Sequence, residues 1–195
     1  MHSPSILPPI QIVTDLAAGS DEQPQSVTIY CPCCKGLGGS YDSLVLLPIH
    51  DANGRLLSEL GNGMTRPSQT FAGVFAVDPF RRHVDILKAL ECAGWLGVVN
   101  FPSVTAVDGE MRASLEDFGY GVKTEVALLR TTIAKGFSAL AVVDSFGMGQ
   151  EAVAIGASGL IAARHANDAT LAELSELAQE TTLGLFRLPD VLGTA

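Results

Sequence analysis

The chain predicts an α/β fold of parallel strands curled toward a shortened or incomplete (β/α) barrel. From Phe71 to Phe186, short apolar runs alternate with amphipathic stretches that stop at glycines, the pattern of successive βα units. Polar residues follow the ends of these runs, and in a parallel α/β fold such positions share the carboxyl edge where sites are built. At 195 residues the chain has room for a good-sized core, yet falls short of the roughly 250 residues of a complete eight-fold barrel. We read residues 1–195 as one barrel-like domain, with residues 1–9 a flexible, proline-rich lead-in.

Ile10 to Val13 and the β-branched, aromatic Val27 to Tyr30 have the composition of short strands, with a polar loop at Gly19 to Pro24 between them. Cys31 to Gly39 reads as a flexible glycine-rich turn. By pattern alone Ser43 to Pro48 is a buried strand, ended by the turn residues His50 to Gly54. Leu56 to Leu60 makes a short helix closed by Gly61-Asn62-Gly63.

Phe71 to Val77 is a continuous apolar run, as expected of a strand covered on both faces. Asp78-Pro79 is placed to cap and begin a helix. In it Val84, Leu87, Leu90 and Ala93 face the core, Asp85, Lys88 and Glu91 face water, and Gly94 stops it. Leu96 to Phe101 is the next strand, and the loop after it runs to Asp108-Gly109. A glycine-rich turn at Glu116 to Gly121 leads to a helix capped by Thr124, with Val126, Leu129 and Ile133 on one face and Gly136 at its end. The strand Ala139 to Val143, the helix Gln150 to Ile155, the strand Gly159 to Ala163, a helix Leu171 to Ala178 capped by Asp168, and the strand Leu183 to Phe186 complete the alternation.

Hydrophobic residues make up 47% and charged ones 17%, a globular composition. A formal net charge of −9 argues against nucleic acid as a partner. The start lacks the basic and uninterrupted apolar regions of a signal peptide, and no apolar run is long enough to span a bilayer. Cytoplasm is the expected compartment and a membrane is not an expected partner. Three of the four cysteines, Cys31, Cys33 and Cys34, crowd into four residues. That excludes a disulfide framework and matches a zinc pattern poorly. They read as small loop-packing residues, with a metal site or a nucleophilic Cys31 or Cys34 beside Lys35 as the alternatives.

Asp78-Pro79-Phe80-Arg81, Asn100-Phe101-Pro102-Ser103-Val104, Asp108-Gly109, Arg112, Leu115-Glu116 and Gly119 occur in an order that resembles the phosphoenolpyruvate hydrolase-like family, a TIM-barrel family. The likeness is strongest over about residues 70–135 and weaker to about residue 165. Upstream, the segment from Ile29-Tyr30 to His50-Asp51-Ala52-Asn53 is similar to the family's second strand and its lid-like loop. On that basis Ser43 to Pro48 is loop or short helix across the barrel mouth, against the strand read from pattern; both readings stand here.

The resemblance implies a TIM-barrel-like site among Asp51, Asn53, Asp78, Asn100, Asp108 and Glu116, and a hydrolase or lyase activity on small phospho- or phosphono-carboxylates. The departures are specific. Cys31-Pro32-Cys33-Cys34 stands where the family has Asn-Ser-Gly-Arg, so an arginine suited to bidentate anion pairing is absent. Arg164-His165-Ala166 replaces His-Met-Gly, His50 replaces a glycine, the glycine-rich first strand and first helix are missing or much shortened, and the eighth strand is lost, which leaves about seven strands.

Each candidate has an ordinary reading beside its chemical one. Asp78 is a base or ligand, or a helix cap. Asn100 orients a carboxylate or carbonyl, or bonds its own loop. Asp108 and Glu116 are paired carboxylates for acid–base work or Mg²⁺, or a turn residue and a solvated one. His50 is an acid–base candidate because histidine as a residue type can switch charge near neutral pH, or a residue of a mobile loop, and His165 beside Arg164 is a base with an anion anchor or the approach to a helix. Asp51, Asn53, Arg81, Arg112, Arg164 and Cys31 are the candidates for holding substrate, and Arg81-Arg82 for holding an anion. The expected function is an enzyme that acts on a small carboxylate-bearing substrate by acid–base chemistry, with Mg²⁺ as an optional cofactor. The alternatives are a metal-free biosynthetic lyase, isomerase or cyclase, and a non-catalytic binding or scaffold protein on an eroded barrel. The open strand edges of an incomplete barrel also predict a homo-oligomer.

Overall fold

A computed structural model describes residues 7–8, 10–16, 27–60 and 69–192. The lead-in apart from residues 7 and 8, the loop at Gly19 to Pro24 and the Gly61-Asn62-Gly63 stop lie outside the described residues. Seven strands form one parallel sheet in strict sequence order: β1 Gln11–Val13, β2 Thr28–Tyr30, β3 Thr70–Gly73, β4 Gly97–Val99, β5 Ser138–Val143, β6 Gly159–Ala162 and β7 Gly184–Arg187. Helices alternate with them: α1 Tyr41–Leu44, α2 Ala52–Leu60, α3 His83–Cys92, α4 Gly109–Asp117, α5 Val122–Ala134, α6 Phe146–Ala154 and α7 Asp168–Thr181. This is an incomplete TIM-barrel-like α/β fold.

The strands alternate sides, and each side is buried. Ile12, Ile29, Val99, Leu140, Val142 and Ile161 point to one interior cluster, joined by the half-buried Phe71 and Phe186. Tyr30, Ala72 and Val98 face the other way, against Leu56 of α2 and Ile86, Leu87 and Leu90 of α3. Ala139, Ala141, Val143, Leu160 and Ala162 meet α6 and α7 through Ala152, Leu174 and Leu177. Contributions from β1 through β7 to one interior cluster mean that the sheet curls round it. At the seam the N–H of Ile10 donates to the Arg187 carbonyl at 3.3 Å.

Four expectations change. Ser43 to Pro48 is no strand: α1 and the turns after it lie over the barrel mouth, with Tyr41 and Val45 in the interior cluster. Of its apolar run only Val45 is buried, while Leu44 and Leu47 are 40% and 45% exposed, so the run is apolar without the two-sided burial of a strand. Ala52, Asn53 and Gly54 begin α2 instead of forming a turn. Pro79 does not start α3, which begins at His83 after an extended Arg82; Asp78 instead accepts the Phe80 N–H in the turn before the helix. Ile86 takes the core position expected of Val84, which is 45% exposed, and Ala93 is exposed.

Smaller shifts follow local capping. Gly73 ends β3 before Val77, since a side chain there would stand 2.8 Å from the Phe101 carbonyl. Ser145 and Asn167 cap α6 and α7 by accepting N–H bonds from Met148 and Thr170. Thr124 lies inside α5 and donates to the Gly119 carbonyl at 2.6 Å. Helix α4 had no apolar face to betray it and buries none of its residues. Among the described residues no helix is long and apolar enough to cross a membrane.

Candidate functional site at the carboxyl edge

β4 ends at Asn100, which is 1% exposed. Its Oδ1 accepts the N–H of Val142 at 2.7 Å, and its Nδ2 donates to the Val142 carbonyl at 3.2 Å. The same Nδ2 donates to Glu125 Oε2 at 3.0 Å. Glu125, on α5 and also 1% exposed, accepts from Ser103 Oγ at 3.0 Å and from the Val104 N–H at 2.9 Å. Burial pushes its carboxyl up to about 7, against the pull of those hydrogen bonds. The cis Phe101–Pro102 bond turns the chain into this network.

A second network ties the lid to β3. Asn53 Oδ1 accepts the Phe75 N–H and its Nδ2 donates to the Phe75 carbonyl, both at 2.9 Å. Nδ2 also donates to Asp78 Oδ2 at 2.9 Å. Asp78 accepts the Phe80 N–H at 2.8 Å and a bond from Arg81 at 3.2 Å. Arg81 grips Asp51 with both terminal nitrogens, at 2.7 and 3.1 Å, and its hydrogen bonds hold the Asp51 carboxyl below the usual range. Asp51, Asn53, Asp78 and Arg81 are therefore brought together, as one clamp.

The remaining candidates are dispersed. Asp108 is exposed at the start of α4. Glu116, also exposed, accepts from Arg112 Nε at 3.4 Å and from the Val122 N–H at 3.0 Å. Arg112 donates to the carbonyl of Val104 at 2.9 Å and to Asp144 at 3.3 Å. Arg164 forks onto Asp42 at 2.9 and 3.0 Å and reaches the Gly39 carbonyl, with its guanidinium 5.9 Å from the Tyr41 ring centre. Exposed His165 stands beside it, and His50 is half-buried on the lid. Cys31 is buried: its sulfur lies 3.2 Å from that of Cys33 and 3.4 Å from that of Cys34. Burial pushes the Cys31 thiol up, while hydrogen bonds from Cys31 and Cys34 pull Cys33 down.

Asp78, Asn100, Asp108 and Glu116 do not line one pocket. A shallow pocket of about 250 Å³ takes in Asp78, with Arg81, Arg82, His83, Tyr120 and Thr124. It lies between the starts of α3 and α5, where the helix dipoles favour an anion, and the Val122 N–H at the start of α5 is already taken by Glu116. His83 Nε2 is 2.6 Å from the Ala76 carbonyl. A carbonyl can only accept, so Nε2 carries a proton, and in the neutral ring Nδ1 is the acceptor. A smaller recess at the barrel mouth is lined by Asp42, Ser103, Thr105, Arg164 and His165.

The oxygen donors do not fit Mg²⁺ as expected. Asp108 and Glu116 bracket α4, which puts their backbones about 12 Å apart at 1.5 Å per residue, and Asp51 and Asp78 already share Arg81. Among the described residues, the group of metal-binding donors that does gather is Cys31, Cys33 and Cys34.

Sequence reading missed Glu125, Asp42, His83 and Tyr120. Glu125 sits on the apolar side of its helix with Val126 and Leu129, and a charge in that position was the available signal.

The curled parallel sheet and polar carboxyl edge define a barrel-type α/β protein. The sequence profile of the phosphoenolpyruvate hydrolase-like family matches residues 30–182, and the chain belongs to that family. It is 78% identical over 194 residues to the uncharacterized protein y4oT of Sinorhizobium fredii, covering 99% of each chain. It is also 43% identical over 94 residues to the ToMV susceptible protein tm-1(GCR26) of Solanum lycopersicum, a match covering 47% of this chain and 12% of the tomato protein. A putative transcriptional regulatory protein of S. fredii, y4pA, is 33% identical over 86 residues, covering 44% of this chain and 14% of that one.

Proposed function

We propose that the chain is an enzyme acting on a small carboxylate-bearing substrate by acid–base chemistry at the carboxyl edge, in the pocket beside Asp78. The observation that carries this reading is the lining of that pocket, where cationic and proton-transferring groups meet two helix starts. Arg82, 80% exposed and paired with an exposed Asp85, is free to exchange that partner for a substrate carboxylate. His83 Nδ1 serves as the base. Asp78 and Asn53 hold the loop, so they position the pocket without taking the proton. Hydrolysis or C–C or C–P cleavage is the reaction class, by analogy with the family's name.

The test is calorimetric titration of the full chain with pyruvate, phosphonopyruvate and phosphoenolpyruvate, followed by assay of pyruvate release. His83→Ala is expected to lower turnover by about 10²-fold or more, and Arg82→Ala to raise KM. Absence of binding by all three compounds removes this reading.

A second reading is a non-catalytic binding or scaffold protein. It is favoured by the saturation of Asn100, Asn53 and Asp78 with internal hydrogen bonds, and it is the outcome if no small acid binds. Under either reading we propose a homo-oligomer joined through α4. That helix buries none of its residues and presents Met111 at 63% exposure, with Phe118 at 79% just beyond it.

A further inference from the structure

The loop after β2 contains a cluster that neither the family resemblance nor the proposed reaction uses. Cys31 follows β2, and a 3₁₀ turn at Pro32–Cys34 carries the chain on. With three residues per turn, positions i and i+3 of such a helix eclipse one another, so Cys34 returns over Cys31. Cys33 is brought to the same side, and the three sulfurs lie within 4.8 Å of one another. All three thiols are free and buried. Tyr41 and Val45 of the lid, Phe101 after β4 and Leu188 after β7 belong to the same apolar cluster, and His50 and Asp42 lie near enough to act on Cys33 and Cys34 through their charge, though neither reaches the sulfurs as a ligand.

Packing alone is satisfied by alanine or valine, whereas the chemistry of cysteine lies in its sulfur. A metal held by thiolates at about 2.3 Å keeps its sulfurs roughly 3.8 Å apart. The separations of 3.2 and 3.4 Å reach that value after a small widening of the buried 3₁₀ turn. No fourth histidine, carboxylate or thiol joins the group among the described residues. Zinc prefers four ligands in closed sites. Soft thiolates with no hard donor beside them select Cu(I).

We propose that Cys31, Cys33 and Cys34 form a three-thiolate site for one Cu(I) ion, seated between the end of β2 and the lid. Each coordinating thiol gives its proton to solvent as its sulfur binds. The copper arrives and stays as Cu(I), so no oxidant or reductant takes part. The proposal rests on the loop after β2 and is independent of the pocket beside Asp78.

The test is anaerobic titration of the reduced full chain with Cu(I) against a chromophoric Cu(I) chelator, with X-ray absorption on the loaded protein. One copper per chain with three sulfur neighbours is expected, together with a rise in Tm on loading. Cys31→Ser and Cys34→Ser are expected to weaken binding at least 100-fold, and Cys92→Ser to bind as the unmodified chain does. Because both serine substitutions fall in the core, circular dichroism of the copper-free variants establishes that they fold. The unmodified chain supplies stoichiometry and coordination independently of that result. Complete loss of copper to the chelator, a coordination shell with nitrogen or oxygen, equal copper loading after all three cysteines are changed, or tighter retention of Zn²⁺ than of Cu(I) would overturn the proposal.

Discussion

Asn100 and Val142, 42 residues apart in the chain, exchange two hydrogen bonds, so that a side-chain amide adds a rung to the β4–β5 pairing. Asn53 does the same to Phe75 from α2. Both amides imitate a backbone peptide group where the sheet gives way to loops, and both pass a spare N–H to a carboxylate, Glu125 or Asp78.

Replacing Asn100 with leucine leaves the Val142 peptide groups and the Glu125 carboxyl short of partners in a buried setting. The expected cost is about 2–4 kcal/mol, read as a lower urea midpoint with an unchanged m-value. A variant as stable as the parent chain would show that the two-point bond contributes little.

Glu125 gives the protein a pH dependence with a definite sign. Its carboxyl is raised in the folded state to about 7 from an ordinary value of 4.5, so folding binds a proton. The stability from this group is fully present below about pH 4.5 and is lost as pH rises through about 7. The loss amounts to roughly 3 kcal/mol at most. Denaturation curves from pH 4 to 8 are expected to show this decline in the parent chain. In Glu125→Gln, which does not titrate, the decline should vanish; its persistence would place the titration elsewhere.

Two bidentate arginine pairs should differ in worth. The Asp51 side chain is 56% exposed beside Arg81, whereas Asp42 is 5% exposed beside Arg164. Asp51→Asn, which keeps an acceptor for the Gly54 N–H and tolerates the positive φ, is expected to cost less than about 1 kcal/mol. Asp42→Ala should cost about 3 kcal/mol or more, because the pair it breaks has a buried carboxylate. Equal thermal shifts in the two variants would contradict this ranking.

If α4 is the oligomer interface, Met111→Glu and Phe118→Glu should turn the assembly into a monomer while leaving the circular dichroism spectrum unchanged. Light scattering after size exclusion is the readout. A monomeric parent chain would dispose of the interface outright.

Most of the frame was legible in the sequence because it rests on local rules. Gly94, Gly136 and Gly156 end their helices with positive φ, and β5 and β6 announce themselves as apolar runs. Pattern alone mistakes the lid for a strand because it cannot show that only Val45 of the run is buried while Leu44 and Leu47 stay exposed. It places the start of α3 too early because the bond Asp78 makes to the Phe80 N–H closes a turn and does not open the helix. Of the candidate site, the clamp residues were named correctly, but their partners across the fold were not visible. Glu125 escaped notice because its hydrogen-bond partners lie 21 to 25 residues back along the chain.

The seam between β1 and β7 has a consequence for how the molecule breathes. Neighbouring strands elsewhere are laced by ladders, while Ile10 and Arg187 meet through a bond of 3.3 Å. The sheet curls round its interior cluster yet is a strip in its energetics, with its line of weakness fixed beside Ile10. Opening there requires no ladder to unzip, so amide exchange should reach Ile10 well before the central strands β4 and β5. The interior cluster would then be wetted first from the β1–β7 side.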